Sequence, residues 1–239
     1  MAKTYLILPA YNESKRIAET LDAYCKHFYD SPNEIIFVVA INNTTDNTEE
    51  IVKEYEDKYF YLRHLTLPGK GKGYAIIEGW KDVLKHAKED DYIGFCDADN
   101  ATPPESFETL INKLNENKDI DGVIGSRYIK GAVVKKQTLR RIFVSRVFNF
   151  LVKRVLFLPY KDTQCGAKLF RFNPIYYVIH SIGNAEYAFD VELLYRLKKK
   201  KFKIKEIPVT WADKKYSKIN LMEAGPKMAW AVLKLRFGK

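Results

Sequence analysis

Two short segments of this 239-residue chain carry residue types suited to chemistry at a phosphate. Asp97-Ala98-Asp99 directly follows the apolar run Tyr92–Cys96. Two carboxylates at i and i+2 on a strand end can both turn toward one hard divalent cation, and oxygen ligands of this sort suit Mg²⁺ or Mn²⁺. A site of this kind uses few protein carboxylates and is completed by substrate phosphate. The tripeptide alone also fits a polar turn, because so short a pattern recurs by chance. Its place after a strand, with Thr102-Pro103-Pro104 opening a helix beyond it, strengthens the metal reading. The second segment is Lys70-Gly71-Lys72-Gly73. Small residues let the backbone approach a phosphate, and Lys70 and Lys72 add charge where helix N-terminal amides already favour anions. The spacing is not that of an ATPase P-loop, and a surface turn fits this stretch equally well. His27, His64, His86 and His180 are scattered without metal-ligand spacing, so surface or packing roles are expected of them. Cys25, Cys96 and Cys165 offer no CxxC pair, which excludes a disulfide framework or zinc ribbon and leaves reduced thiols, with Cys165 read as packing.

The elements that must position these groups are legible in the first half. Apolar, β-rich runs recur at Tyr5–Pro9, Glu34–Ala40, Tyr61–Leu67, Tyr92–Cys96 and Gly122–Ser126. Helical periodicity lies between them: Ile17, Leu21 and Tyr24; Ile51, Val52 and Tyr55; Ile76, Ile77 and Val83; Phe107, Leu110 and Leu114. Strand starts roughly 30 residues apart are what right-handed βαβ units require. The pattern therefore predicts an α/β fold, a mostly parallel sheet with helices on both faces. Ligands bind such sheets at the carboxyl ends of the strands. There the polar loops 9–13, 42–48, 68–73 and 97–104 converge on one rim. The second half is less regular. Thr138–Phe157 is a basic helix candidate, Phe189–Lys201 another, and Leu221–Phe237 a final amphipathic helix. Lys203–Trp211 reads as a strand interrupted by Pro208, which suits an edge or terminus. Phe143, Phe148, Phe150 and Phe157 are expected to fill a core. No internal repeat or linker divides the chain, so 1–239 is read as one domain.

The composition, 46% hydrophobic and 29% charged, excludes a disordered or low-complexity chain. The net charge of +10 conceals an asymmetry: residues 1–125 hold 14 Lys/Arg against 23 Asp/Glu, and residues 126–239 hold 26 against 7. An anion-seeking surface is therefore built by the second half. The N-terminus does not resemble a signal peptide, and no window of about 18–20 uncharged apolar residues exists, so a soluble or membrane-surface protein is expected. Lys135, Lys136, Arg140, Arg141, Arg146, Lys153 and Arg154 are interleaved with Val144, Val147, Phe148 and Leu151. A basic amphipathic segment of this kind can lie in a membrane interface, and the same residues could instead pack on the sheet with a solvated basic face. Leu221, Met222, Met228, Trp230, Leu233 and Phe237 of the final helix could dock similarly.

Leu8-Pro9-Ala10-Tyr11-Asn12-Glu13, the Lys70–Gly73 loop, Asp97-Ala98-Asp99 and Gly125-Ser126-Arg127, in that order, resemble family-2 glycosyltransferases of the GT-A fold. Asp162-Thr163-Gln164-Cys165-Gly166-Ala167-Lys168-Leu169-Phe170, Phe189-Asp190-Val191-Glu192, Glu206-Ile207-Pro208-Val209 and Ser217-Lys218-Ile219 look like the dolichyl-phosphate β-glucosyltransferase branch. The resemblance covers essentially the whole chain. It implies an inverting transfer from a nucleoside-diphosphate sugar, UDP-glucose first, to a polyprenyl (dolichyl-type) phosphate at the cytoplasmic membrane surface. By position, Pro9, Tyr11 and Glu13 would line the nucleotide pocket, with Asp97 and Asp99 holding Mg²⁺ or Mn²⁺ on the diphosphate. Arg127 would meet anionic oxygens near the acceptor, and Asp190 takes the acceptor-side carboxylate position. Residues 1–126 would form the nucleotide-sugar half and 127–239 the basic acceptor half. The chain departs from the family at Ile41 and Asn42, where two aspartates are usual. Asn42 retains a carbonyl acceptor for the nucleobase, whereas Ile41 replaces no carboxylate.

Three rival functions follow from the same residues. One is transfer to a soluble or glycan acceptor. Another is a nucleotide-sugar binder without turnover, from the Ile41 and Asn42 changes. The third is RNA binding by the basic half, which no recognised RNA-binding motif accompanies; no nucleic-acid partner is expected.

Overall fold

The computed structural model describes residues 2–135, 139–183, 188–214 and 221–238, with backbone alone for residues 139–141, 143–144 and 221–224. Its first half alternates as the periodicity requires: β1 (Thr4–Ala10), α1 (Ile17–Tyr29), β2 (Ile35–Asn42), α2 (Thr48–Lys58), β3 (Leu62–Leu67), α3 (Lys72–Val83), β4 (Tyr92–Cys96), α4 (Pro104–Glu116) and β5 (Gly122–Ser126). Strands β4 and β5 are buried throughout and β1 and β2 nearly so, as expected of parallel strands covered on both faces. In α1, Ile17, Leu21, Tyr24 and Phe28 recur at helical spacing and are all buried. Gly71, at φ 104°, makes the turn from which α3 starts, a conformation that favours glycine. Pro104 opens α4, where a missing N–H costs nothing and the fixed φ suits the first helical residue.

The second half adds β6 (Val133–Lys135), α5 (Leu139–Leu156), β7 (Ala167–Arg171), α6 (Phe172–Val178), α7 (Phe189–Lys199), β8 (Ile204–Pro208), β9 (Thr210–Ala212) and α8 (Leu221–Phe237). The main sheet runs β3-β2-β1-β4-β7-β5-β8, and β6 pairs with β9 in a small parallel ribbon. Only β7 runs against its neighbours in the main sheet. It starts at the rim where β4 ends, so that Ala167 pairs with Cys96 and Lys168 lies between Phe95 and Ile124. One core joins α1, α2 and α4 to one face, around Leu21, Tyr24, Phe37 and Phe107. The other joins α3, α6 and α7 to the opposite face, around Trp80, Phe95, Phe170 and Phe189.

Several expectations need correction. Lys203–Trp211 is not one strand: it breaks at Val209, whose N–H turns to the Ser126 carbonyl. Strands β6 and β7 and helix α6 have no counterpart in the sequence pattern. Phe148 is core, but Phe150 and Phe157 are 59% and 63% exposed, because α5 buries the stripe Phe148, Val152 and Leu156 instead. Phe148 therefore cannot belong to an outward apolar face, while Val147 does. The Phe143, Val144, Arg140, Arg141, Leu221 and Met222 side chains, and Lys136 and Ser217-Lys218-Ile219, lie outside the described residues. Among those described, no helix is long and apolar enough to cross a membrane.

Candidate active site

The rim at the carboxyl ends of β1, β2 and β4 is shaped by three asparagines in the left-handed region: Asn12 (φ 51°), Asn43 (φ 48°) and Asn100 (φ 52°). Asparagine tolerates that region better than most residues because its short polar side chain can bond locally. The loops after β1 and β2 are laced together. Asn12 Oδ1 accepts from the Thr45 amide (2.8 Å), and the Glu13 and Ser14 amides donate to Thr48 Oγ1 (2.7 Å) and Asp46 Oδ2 (3.2 Å). Glu13 is buried, and its carboxylate receives a two-pronged bond from Arg16 (2.7 Å each). Pro9 is half-buried, and Tyr11 is exposed beside them. Asn42 is 2% exposed and acts as a brace: with the amide oriented to satisfy both atoms, its nitrogen donates to the Ala10 carbonyl (3.0 Å) and its oxygen accepts from the Gly71 amide (3.1 Å). Its carbonyl is thus committed to the Lys70–Gly73 loop rather than presented to a base. Ile41 is buried in the core.

Lys72, Asp97, Asp99 and Asp190 come together where β4 ends. Lys72 Nζ lies 2.7 Å from Asp97 Oδ1 and 3.4 Å from Asp190 Oδ2. A second ammonium, Lys168 Nζ, reaches Asp190 Oδ1 at 2.5 Å and the Cys165 carbonyl at 2.6 Å. Burial works against the Asp190 charge, yet Lys168 and Lys72 outweigh it and hold this carboxyl below the ordinary value. Burial likewise opposes the Lys72 charge, and Asp190 and Asp97 together raise its pKa above that of an ordinary lysine. Asp99 accepts from the Ala101 amide (3.0 Å) and faces Arg16 at 3.6 Å. Its carboxyl is pushed up to about 6 by burial and by the neighbouring Asp97 charge. Lys70 is exposed on the adjoining loop.

Three further residues matter that the sequence reading assigned no role. Gly166 donates no side chain because none fits: a Cβ there would stand 1.8 Å from Asp97 Oδ2. Its carbonyl accepts the Asp97 amide (2.9 Å), so the segment entering β7 cradles Asp97. Asp162, wholly buried, takes the Arg127 guanidinium with both oxygens (2.7 and 2.9 Å) and the Arg127 amide as well (3.0 Å). Against its burial, Arg127 holds the Asp162 carboxyl below its ordinary value. Arg127 is only 10% exposed, paired with Asp162, and lies over the Tyr128 and Trp211 rings. Lys168 is the third. The one sequence signal for it is a lysine inside the otherwise apolar run Ala167-Lys168-Leu169-Phe170.

The donor set fits a divalent cation in one respect and falls short in another. Asp97 and Asp99 offer two neighbouring, partly exposed carboxylates whose mutual repulsion a cation would relieve. Among the described residues no third His, Cys, Asp or Glu completes a metal-binding group. Such a pair suits a cation that takes its remaining oxygens from water and substrate phosphate. A cavity of about 400 Å³ lined by Tyr92, Asn115, Lys118 and Arg171 lies at the opposite end of β4 and takes no part in this cluster.

Known proteins share both the sequence and the fold. The dolichyl-phosphate beta-glucosyltransferase ALG5C of Trichomonas vaginalis is 33% identical over 228 residues, 91% of this chain and 66% of its own length. The dolichyl-phosphate beta-glucosyltransferases of Dictyostelium discoideum and Saccharomyces cerevisiae are 30% and 31% identical, over 97% and 94% of this chain and 73% and 71% of theirs. This chain therefore spans about two thirds to three quarters of these relatives. The crystal structure of glucosyl-3-phosphoglycerate synthase from Mycobacterium tuberculosis, in complex with Mn²⁺, UDP and glucosyl-3-phosphoglycerate, matches 99% of this chain and 80% of that chain at a TM-score of 0.70. At 19% identity that likeness speaks for the GT-A fold alone. The family described as "Glycosyl transferase family 2" matches residues 5–178, and with relatives of 30% identity or more running across nearly the whole sequence, the chain belongs to glycosyltransferase family 2.

Proposed function

We propose that this chain transfers glucose, with inversion, from UDP-glucose to a polyprenyl (dolichyl-type) phosphate. The observation that carries the reading is the row of alternating charge at the rim, Asp97–Lys72–Asp190–Lys168, in a chain whose curated relatives are dolichyl-phosphate beta-glucosyltransferases. Pro9, Tyr11 and Glu13, with Asn42 bracing the loop from behind, form the wall for the nucleotide. Lys70 and Lys72 meet the diphosphate. Asp97 and Asp99 would hold Mg²⁺ or Mn²⁺, which supplies Lewis-acid stabilisation of the departing diphosphate. An acceptor phosphate is already ionised near neutral pH, so the protein's task is orientation and charge placement rather than deprotonation. Asp190 faces that side. Arg127 acts indirectly, by fixing the loop after β5 through Asp162.

Residues 1–126 serve the donor and the basic residues 127–239 the acceptor. A peripheral contact with the cytoplasmic face of a membrane brings the enzyme to its lipid. In support, α5 and α8 pack on each other and expose Val147, Phe150, Trp230, Leu233 and Phe237 among Arg146, Lys153, Arg154, Lys234 and Arg236. No nucleic acid is involved.

The test is a transfer assay with radiolabelled UDP-glucose and Mn²⁺, with and without polyprenyl phosphate. Label is expected in the lipid phase only with the lipid phosphate present. Label moving to a water-soluble acceptor instead would replace the lipid reading. Mn²⁺-dependent thermal stabilisation by UDP-glucose, with no transfer and no donor hydrolysis, would mark a binder without turnover.

A further inference from the structure

We infer that Lys168 is a positioning residue for Asp190, fixing the acceptor-side carboxylate from beneath while Lys72 engages the donor. The inference rests on the glycosyltransferase reading above and deepens it.

The sheet delivers this lysine to an unusual place. Strand β7 descends between β4 and β5, and the register sets Lys168 beside Phe95 on one side and Ile124 on the other. Those neighbours belong to the core covered by α3 and α7, and Lys168 is 0% exposed within it. A bare ammonium in such surroundings is heavily penalised unless it is paired and hydrogen-bonded. Lys168 meets that condition with two short contacts, the Asp190 carboxylate and the Cys165 carbonyl, and its ammonium lies 5.2 Å from the Phe95 ring centroid. Replacing a buried ion pair with apolar residues of similar volume is often neutral or stabilising, so stability alone does not account for the pair.

Geometry does. Asp190 stands between two ammonium groups of different character. Lys72 is partly exposed, sits at the start of α3 beside a glycine turn, and divides itself between Asp97 and Asp190. Lys168 is sealed in and has Asp190 as its one carboxylate among the described ion pairs. When the diphosphate draws Lys72 away, Asp190 keeps one oxygen anchored on Lys168. The same ammonium holds the Cys165 carbonyl, one residue from the Gly166 that cradles Asp97.

The experiment compares wild type, Lys168→Met, Asp190→Asn and the double variant, reading kcat and acceptor KM in the transfer assay and Mn²⁺-dependent UDP affinity by titration. Lys168→Met is expected to lose about 100-fold in kcat, the scale of a misplaced reacting group, while UDP affinity stays within about two-fold. Because Lys168 acts through Asp190, the double variant is expected to be no slower than Asp190→Asn alone. If Lys168→Met, in which Asp190 retains Lys72 alone, fails to fold, the comparison of Asp190→Asn with the double variant decides. Wild-type kcat in Lys168→Met, losses that multiply in the double variant, a parallel fall in UDP affinity, or a double variant that cannot fold would each overturn the proposal. Absence of transfer by the wild type would instead remove the parent reading, and this one with it.

Discussion

Asp97 takes its direction from a residue that has no side chain. Its amide is tied to the Gly166 carbonyl, and its carboxylate fills the space a Cβ at 166 would need. Gly166→Ala would push the carboxylate away from Lys72 and Asp99. A displacement of about 1 Å at a reacting site can lower turnover about 100-fold, and a loss of that size in kcat/KM is expected. Thermal unfolding without ligand should shift little, while Mn²⁺-dependent stabilisation by UDP should disappear. Undiminished stabilisation in the variant would separate Asp97 from the metal. Asn42 shows the converse. The position is an acid in the family pattern, but here the amide donates to one carbonyl and accepts from one amide, a pairing that a carboxylate cannot make.

Among the elements, β7 does most to assemble the site, because running antiparallel brings its first residues to the rim where the parallel strands end. Among the described residues, the loop leading into it is pinned to α5 by the Asn149 side chain. Asn149 Oδ1 accepts from both the Thr163 amide (3.1 Å) and the Thr163 hydroxyl (2.8 Å), in a buried setting. Asn149→Ala would strand both donors, and leaving buried polar groups unsatisfied costs about 1–3 kcal/mol. Urea unfolding should show a loss of stability in that range, with an unchanged slope. A variant as stable as wild type would mean the loop is held by its other bonds, such as those the Lys161 and Asp162 amides donate to the Glu206 carboxylate.

At the scale of the molecule, charge bears on stability and on the proposed membrane contact. The Asp162 carboxyl titrates below its unfolded value, so between the two values the unfolded chain binds more protons. Its contribution is full above about pH 4 and is lost as pH falls through the folded value. Asp162→Asn should lower stability near neutrality by about 3–5 kcal/mol, because Arg127 stays buried without its counter-charge. It should also flatten the acid limb of the stability profile, measured by denaturant unfolding between about pH 3 and 7. An acid limb unchanged in slope would assign it to other carboxylates. The proposed membrane contact depends on the same imbalance of charge. Each cation near an anionic surface adds about 1 kcal/mol, screened by salt. Flotation with anionic vesicles is therefore expected at low salt and should weaken at high salt. Replacing Phe150, Trp230 and Phe237 together by Ser should weaken it further. Equal binding to neutral vesicles, or indifference to the three changes, would rule out α5 and α8 as the docking face.

Local pattern determined the first half almost to the residue. Strands β4 and β5 have the bounds read from their apolar runs, and the polar loops after β1 to β4 meet at the rim, because βαβ connections leave few other arrangements. Asp97, Asp99 and Lys72 were legible for the same reason: each stands at the junction of a strand end and a helix start. The acid side of the second half was legible only as motif, and its geometry came from the fold. Lys168 gains its meaning from a register between strands distant in sequence, Asp162 from Arg127 lying 35 positions earlier, and Gly166 from a carboxylate on another strand. Phe150 and Phe157 were expected inside, yet which stripe of α5 turns inward depends on how the helix packs on α8 and the sheet. Periodicity reports that a helix has an apolar side; only the packed neighbours decide which residues that side contains.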